Sequence, residues 1–395
     1  MPRCRRASRI GMLVSLLLVL SSQGLQARAA ASLDAASFGC GGWSVVPSPH
    51  PSTVAELLAV DAVSSTDIWA VGDYVVSTQY VALAEHWDGT AWTVVPTPQF
   101  AGNIYLEDVS AVSTDDVWAV GVYWESSGTR PLTEHWDGTA WSRVPAPLIG
   151  GQAAANYLGA VTAVAADDAW MAGEVLTPTG DQVPLVEHWD GTAWHPVQIP
   201  LPPTNIAGML DIDAVSATDV WAIGLSQIPN ASFTEHWDGT RWSRVALPPP
   251  EHGVDYLTSV SASASDNAWA VGDEANPLGG MTGPVTEHWD GSAWTRIYGR
   301  PVNDSGSFSA GAALAPDDVW AVGGVQDPQG RVKILAEHWD GTGWTVFPAQ
   351  SPGVSYNALA DVTAVSSVDL WAVGQDWGHS GGSMREGLIE HFCPA

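Results

Sequence analysis

Basic residues are scarce in this chain: 14 Lys and Arg stand against 43 Asp and Glu, a formal net charge of −29 at pH 7. Such a surface repels phosphate backbones and anionic lipid, which argues against nucleic acid and membrane partners. Cysteine is nearly missing, with only Cys4, Cys40 and Cys393. No apolar run beyond Leu20 is long enough to span a bilayer. Helical spacing of apolar residues is absent throughout, and so are GxSxG, HExxH, P-loop and DxDxDG motifs. The common nucleophilic, zinc, nucleotide and calcium chemistries therefore have no support, and no catalytic residue, cofactor or metal is expected.

The basic residues that do occur are concentrated at the start. Arg3, Arg5, Arg6 and Arg9 precede the apolar stretch Ile10 to Leu20, and Ala27-Arg28-Ala29 follows as a small-x-small cleavage site. Residues 1–29 thus read as a secretory signal peptide and residues 30–39 as a short N-terminal segment. A single domain is expected over 40–395, secreted to the cell exterior or periplasm as a monomer. The acids are scattered and 46% of the chain is hydrophobic, which describes a folded protein rather than a disordered tail.

What is abundant is repetition. A WAVG-type group recurs at Trp69, Trp118, Trp170, Trp221, Trp269, Trp320 and Trp371, and Glu-His at Glu85, Glu134, Glu187, Glu235, Glu287, Glu337 and Glu390. Six units close on a further tryptophan, Trp92, Trp141, Trp194, Trp242, Trp294 and Trp344. One unit, Leu106 to Val144, divides into four strands: LEDVSAVS, VWAVGVY, PLTEHW and TAWSRV. Asp137-Gly138 between the last two suits a two-residue type I′ hairpin, which would set Trp136 opposite Thr139 and Glu134 opposite Trp141. Four antiparallel strands about every 50 residues describe a propeller blade. The expected fold is all-β, a seven-bladed β-propeller. Its second strands present a bulky face (Trp118, Val120) and a small one (Ala119, Gly121) for head-to-tail packing.

The seventh hairpin is interrupted. Glu390-His391-Phe392-Cys393 nearly ends the chain, while Cys40-Gly41-Gly42-Trp43 supplies the closing tryptophan near the other end. The ring should therefore close by pairing an N-terminal strand with the C-terminal ones. Cys40 and Cys393 occupy the two sides of the cut, and a Cys40–Cys393 disulfide is predicted, in keeping with export. The alternative is two unpaired thiols.

The stretch VWAVG…LTEHWDGTAWSRVPAP resembles the kelch repeat, in which a glycine-ended strand leads to an aromatic-Asp hairpin and a closing Trp before proline. The resemblance covers nearly all of 40–395 and implies an architecture similar to the central domain of galactose oxidase. A copper radical site of that kind would need a cysteine cross-linked to tyrosine, and Cys40 and Cys393 are assigned to each other.

Glu-His repeated once per blade reads as framework, since adjacent residues on a strand face opposite ways and cannot share one ligand. Each glutamate is expected to accept the indole N–H of the opposed tryptophan, and the Asp pairs before WAVG to cap turns. Ligand recognition is expected on the face carrying the variable loops. Tyr105, Tyr157, Tyr256 and Tyr356, just before the innermost strands, and Trp124 and Trp377, in or beside the second-to-third-strand loops, are the candidate ligand-binding residues. The best reading is a secreted recognition module for a carbohydrate or an extracellular protein. The rivals are a secreted propeller hydrolase or lyase acting on glycans, and a structural envelope protein.

Overall fold

The structure, a computed structural model, describes residues 41–49, 51–126, 128–201, 207–227, 230–251, 253–275, 281–299, 306–378 and 385–394. The expected leader, the 30–39 segment and Cys40 lie outside the described residues. Every regular element described is a strand, and the strands form seven four-stranded antiparallel sheets. Blades 1 to 6 begin at Ala55, Ile104, Ala155, Ala207, Val254 and Gly306, each running inner strand to outer strand in chain order. Blade 7 takes Tyr356–Ser366, Asp369–Trp377 and Arg385–Cys393 from the C-terminal end and Gly42–Val45 from the N-terminal end. Trp43 pairs with Phe392 and Val45 with Glu390, so the two ends of the chain meet in one sheet and close the ring.

Packing between blades follows the two-faced pleat. Trp69, Val71, Ala82 and Ala84 of blade 1 form one cluster with Ile104, Leu106, Val117 and Ala119 of blade 2. The opposite face of blade 1 meets Trp371, Val373 and Ile389 of blade 7 in another. At each seam the second-strand tryptophan is buried and meets the next blade's closing ring edge-on. Trp69–Trp141 centroids lie 5.2 Å apart at 89°, and Trp118–Trp194 5.1 Å apart at 82°. Such pairs contribute about 0.5–1.5 kcal/mol each beyond area burial.

A bulge recurs in the inner strand. In blade 1 the register steps from Leu57↔Gly72 to Ala59↔Val71, and all seven blades repeat the shift. A Cβ on Gly72 would collide with the carbonyl oxygen of Glu56, so the WAVG glycine is needed for close backbone approach at the bulge. The bulge re-aims the following side chains, and these join neighbouring blades. Asp361 accepts the Val60 N–H (2.9 Å), Asp108 the Val161 N–H (2.8 Å) and Asp211 the Val260 N–H (2.9 Å). Two residues further on, Asp61 accepts from Ala111 (2.8 Å), Ser110 from Ala163 (3.0 Å), Asp213 from Ala262 (2.7 Å) and Ser261 from Ala313 (3.1 Å). The carboxylates also take the N–H of their own next residue, as Asp61 does from Ala62.

The hairpin differs from the expected one. Trp136 pairs with Trp141 and Glu134 with Arg143, which leaves a four-residue loop, Asp137 to Ala140. Only Gly138 has positive φ (+86°), where a type I′ turn needs two such residues. Asp137 decides the loop: its Oδ1 accepts the N–H of Thr139 and of Ala140 and the Thr139 hydroxyl, at 2.6–3.0 Å. These bonds lower its pKa to about 2.

The Glu-His pair is framework, though by other contacts than expected. Each histidine donates to the aspartate before the same blade's second-strand tryptophan, as His135 Nε2 to Asp116 Oδ1 (2.7 Å), with Asn267 standing in for the aspartate in blade 5. The imidazole lies 4.3–4.7 Å from that tryptophan's ring. The seven glutamates are fully buried, yet no closing-tryptophan N–H reaches them through the hairpin, because the register sets them two pairs away from the tryptophan. Arg244 and Arg296 pair with Glu235 (2.8 Å) and Glu287 (2.9 Å), and Ser48 donates to Glu85 (2.6 Å). In blade 3 the arginine position is Pro196, and Glu187 has neither oxygen partnered among the described residues. Burial pushes Glu134, Glu187 and Glu390 up to about 8, and Glu85 and Glu287 to about 7.

Two predictions follow from the frame. Asp61→Ala removes two inter-blade bonds, from the Ala111 N–H and the Thr363 hydroxyl, and one local bond, and should cost about 2–3 kcal/mol in denaturant unfolding, with m unchanged. The raised glutamates bind protons in the folded state that the unfolded chain releases near pH 4.5, so their stabilisation is complete below that pH and is lost as pH rises through about 7–8. His288, whose pKa burial lowers, contributes the opposite slope below pH 6.5. Melting temperature should fall from pH 5 to pH 9, and Glu187→Gln should flatten that fall, as read by calorimetry.

Candidate functional site

The short turns of each blade gather on one face of the disc and the long connections on the other. On the long-connection face, where blades 7, 1 and 2 meet, a polar cluster is enclosed by aromatic rings. It begins with a cross-strand pair in blade 1, Glu56↔Asp73, placed opposite each other just ahead of the bulge. Each carboxyl group acts on the other's titration through a side-chain hydrogen bond, so the two titrate as a pair. Asp73 is 2% exposed, and burial with the neighbouring Glu56 and Glu107 carries its pKa well above the usual carboxylate range. Burial also raises Glu56, opposed by Arg385 of blade 7, whose Nη1 lies 2.8 Å from its Oε2.

The rings come from both neighbours. On blade 2, Tyr105 lies 5.1 Å from Tyr80 of blade 1 and 5.8 Å from Trp124. Tyr105 is 3% exposed and its hydroxyl has no hydrogen-bond partner among the described residues. Burial, with Asp73, Tyr80, Glu107 and Glu56 nearby, raises its pKa. On blade 7, Tyr356 stands directly opposite Trp377, their rings 5.2 Å apart, and Tyr356 faces Glu56 and Arg385 closely enough for both to act on its titration. Trp124 and Trp377 are 38% and 36% exposed, large rings left open at the rim of an otherwise buried array.

Four of the six residues singled out from the sequence thus come to one rim: Tyr105, Trp124, Tyr356 and Trp377. Tyr157 and Tyr256 do not join them. They occupy the position of Tyr105 in blades 3 and 5, opposite Glu174 and Asp273. Tyr356 stands one residue earlier relative to its strand's asparagine and pairs with Trp377 rather than with the residue after WAVG. Glu56, Asp73, Glu107 and Arg385 were not among the candidates. Glu56 and Asp73 belong to blade 1, Glu107 to blade 2 and Arg385 to blade 7, and only ring closure brings blade 7 beside blade 1.

A second polar feature is the central channel, a cavity of about 250 Å³ lined by Asp61, Asp108, Asp211, Asp213 and Asp361 among others. Burial raises Asp213 to about 6 and also raises Asp61. These carboxylates hold backbone N–H groups of neighbouring blades, and they belong to the frame. Among the described residues no group of three or more His, Cys, Asp and Glu is arranged to hold a metal. Among the same residues no helix is long and apolar enough to cross a membrane.

No family model matches the chain, and no curated protein does. Solved structures do. The chain is similar to YCF48 bound to D1 peptide, with 17% identity, 92% of this chain and 100% of that one covered, and a TM-score of 0.57. YCF48 from Cyanidioschyzon merolae is similar at 16% identity, covering 90% and 99%, with a TM-score of 0.55. A GH74 xyloglucanase from Xanthomonas campestris aligns at 12% identity over 84% of this chain and 53% of its own, with a TM-score of 0.56. At these identities the likeness establishes the fold: the chain is a seven-bladed β-propeller whose named neighbours are YCF48 and GH74 propellers rather than kelch or galactose oxidase ones specifically.

Proposed function

We propose that this chain is an exported recognition propeller that binds a carbohydrate at the rim of blades 7, 1 and 2. The observation that carries the reading is that two partly open tryptophans, Trp124 on blade 2 and Trp377 on blade 7, each stand beside a tyrosine and flank blade 1, whose Glu56 pairs with Arg385. An indole face takes the C–H face of a pyranose, while Glu56 and Arg385 accept from and donate to ring hydroxyls. The neighbours' ligands are in keeping with binding on this fold: YCF48 with a D1 peptide, and a xyloglucanase. A protein ligand on the same aromatic rim is the second reading, favoured by the peptide complex.

Hydrolysis is less well supported. Paired glycosidase carboxyls stand about 5–10 Å apart with open access. Glu56 and Asp73 form a cross-strand pair and Asp73 is buried, which suits a preorganised binding wall. Export accords with the leader-like residues 1–29. It also accords with the expected Cys40–Cys393 disulfide, Cys393 lying where the two ends of the chain pair.

A glycan array probed with the mature protein tests the reading. Wild type should retain a defined set of glycans, and the Trp124→Ala/Trp377→Ala double variant should lose it by at least about tenfold in affinity with its melting temperature nearly unchanged, as both rings are partly exposed. An array that is blank for wild type, or equal for both proteins, overturns it. Reduction of the mature protein should add two hydrogens by mass spectrometry and lower its thermal stability, the loop-entropy contribution of a bridge of this span being about 5–6 kcal/mol at most.

A further inference from the structure

The two open rim rings occupy one and the same repeat position. Six residues past the second-strand tryptophan, at or next to that strand's end, stand Trp124 in blade 2 and Trp377 in blade 7. The other five blades have Val75, Leu176, Gln227, Ala275 and Gln326 there. Blade 1 lies between the two rings. Sheets packed face to face lie about 10 Å apart, so two seams separate the rings by on the order of 20 Å. A single sugar cannot touch both, whereas a chain of several sugars can.

Both rings, and the ground between them, are held in place. The Trp377 indole N–H donates to Gln375 Oε1 (3.2 Å), and its carbonyl accepts the Val354 N–H (2.9 Å). Arg385, opposite Trp377, joins blade 7 to blade 1 through Glu56. Blade 1 ends there in a tight tip, Val76↔Gln79, where Ser77 is the one non-glycine residue with positive φ (+59°) among the described residues. Val76 is 49% exposed on that tip. The hairpin is tied to blade 2: Gln79 Nε2 donates to the Gly102 carbonyl, and the Tyr80 N–H to Asn103 Oδ1 (3.1 Å). The Asn103 carbonyl in turn accepts the Trp124 N–H (2.9 Å), so one residue fixes the blade 1 hairpin and the Trp124 backbone together. A surface fastened in this way loses little freedom when a ligand settles on it. Charge narrows the ligand further, since an acidic chain is repelled by a protein of net charge −29. We propose that the rim takes a neutral, linear glycan along its length, with one sugar on each tryptophan and the intervening sugars over blade 1, rather than a single sugar or a chain end. This rests on the carbohydrate reading of the rim and specifies the class of carbohydrate.

The test is calorimetric titration of the mature protein with cello-, xylo-, manno- and N-acetylchito-oligosaccharides from the monosaccharide to the hexasaccharide, with oligogalacturonates as the acidic control. Two subsites joined by one chain act at high effective concentration, so in at least one neutral series affinity should rise at least about tenfold from disaccharide to hexasaccharide. One hexasaccharide should bind per protein. Trp124→Ala and Trp377→Ala, each at a partly exposed ring, should each bring the hexasaccharide down to about the affinity of the disaccharide. A hexasaccharide that binds no tighter than its disaccharide overturns the extended site and leaves the rim reading standing. A rise that survives both variants overturns it too, as it places the chain elsewhere. Oligogalacturonates that bind as tightly as the neutral series overturn the assignment to a neutral glycan. No binding in any neutral series overturns the extended site, whatever the glycan array shows for the rim.

Discussion

The rest of this structure depends on hydrogen bonds that cross from one inner strand to the next. A propeller has no chain-wide backbone ladder, since each sheet is complete after four strands. What fixes a blade's angle and height against its neighbour is therefore side-chain chemistry. Here it is a carboxylate or hydroxyl set just past a bulge, accepting a backbone N–H from the following blade, as Asp361 does from Val60 and Asp61 from Ala111. The bulge and the stitch form one device. Without the extra residue in each inner strand, the pleat would not turn these side chains toward the next blade. The apolar seams provide the bulk of the burial but are tolerant of small slides. The stitches are directional, and they sit at the smallest radius, where angular errors accumulate least.

This arrangement also explains why so acidic a protein puts many of its acids inside. The inner-strand aspartates are multiply hydrogen-bonded to N–H groups. The Asp-Gly-Thr aspartates are locked by their own loops. Of the third-strand glutamates, Glu134, Glu187 and Glu390 have no arginine partner, and burial favours their neutral form near pH 7. Carboxyl groups in three settings thus have three different titration ranges within one repeat. Burial without partners is tolerated at Glu187 because a protonated carboxyl avoids most of the cost of burying a charge.

The repeat is kept unequally at the two rims. On the long-connection side the repeat relaxes, and the residues next to the inner-strand bulge and the second-strand end differ from blade to blade. Glu56, Asp73, Tyr105, Trp124, Tyr356 and Trp377 come from such positions, and Arg385 opens the third strand of blade 7 opposite Trp377. On the short-turn side the repeat holds, and individuality is confined to details such as Asp115-Asp116 in blade 2 against Thr218-Asp219 in blade 4. Recognition on the first face would rest on side chains that most blades lack.

Strand order, blade number, the two-faced pleat and the joining of the chain ends were all legible from periodicity, because a fifty-residue repeat with alternating residues admits few packings. The interrupted Glu390-His391-Phe392 hairpin already implied closure with Trp43. Hairpin register was not legible: Asp-Gly suits a two-residue turn by backbone preference, and only the three bonds to the Asp137 carboxylate make the four-residue loop win. The aromatic candidates at the rim were visible one by one, as residues that broke the repeat. That Tyr105, Trp124, Tyr356 and Trp377 converge while Tyr157 and Tyr256 stay apart was decided by the ring, which sets blade 7 beside blade 1. The pairing of Glu56 with Asp73 was likewise a product of the tertiary structure, since cross-strand register and burial, rather than any spacing along the chain, set the two carboxyl groups together.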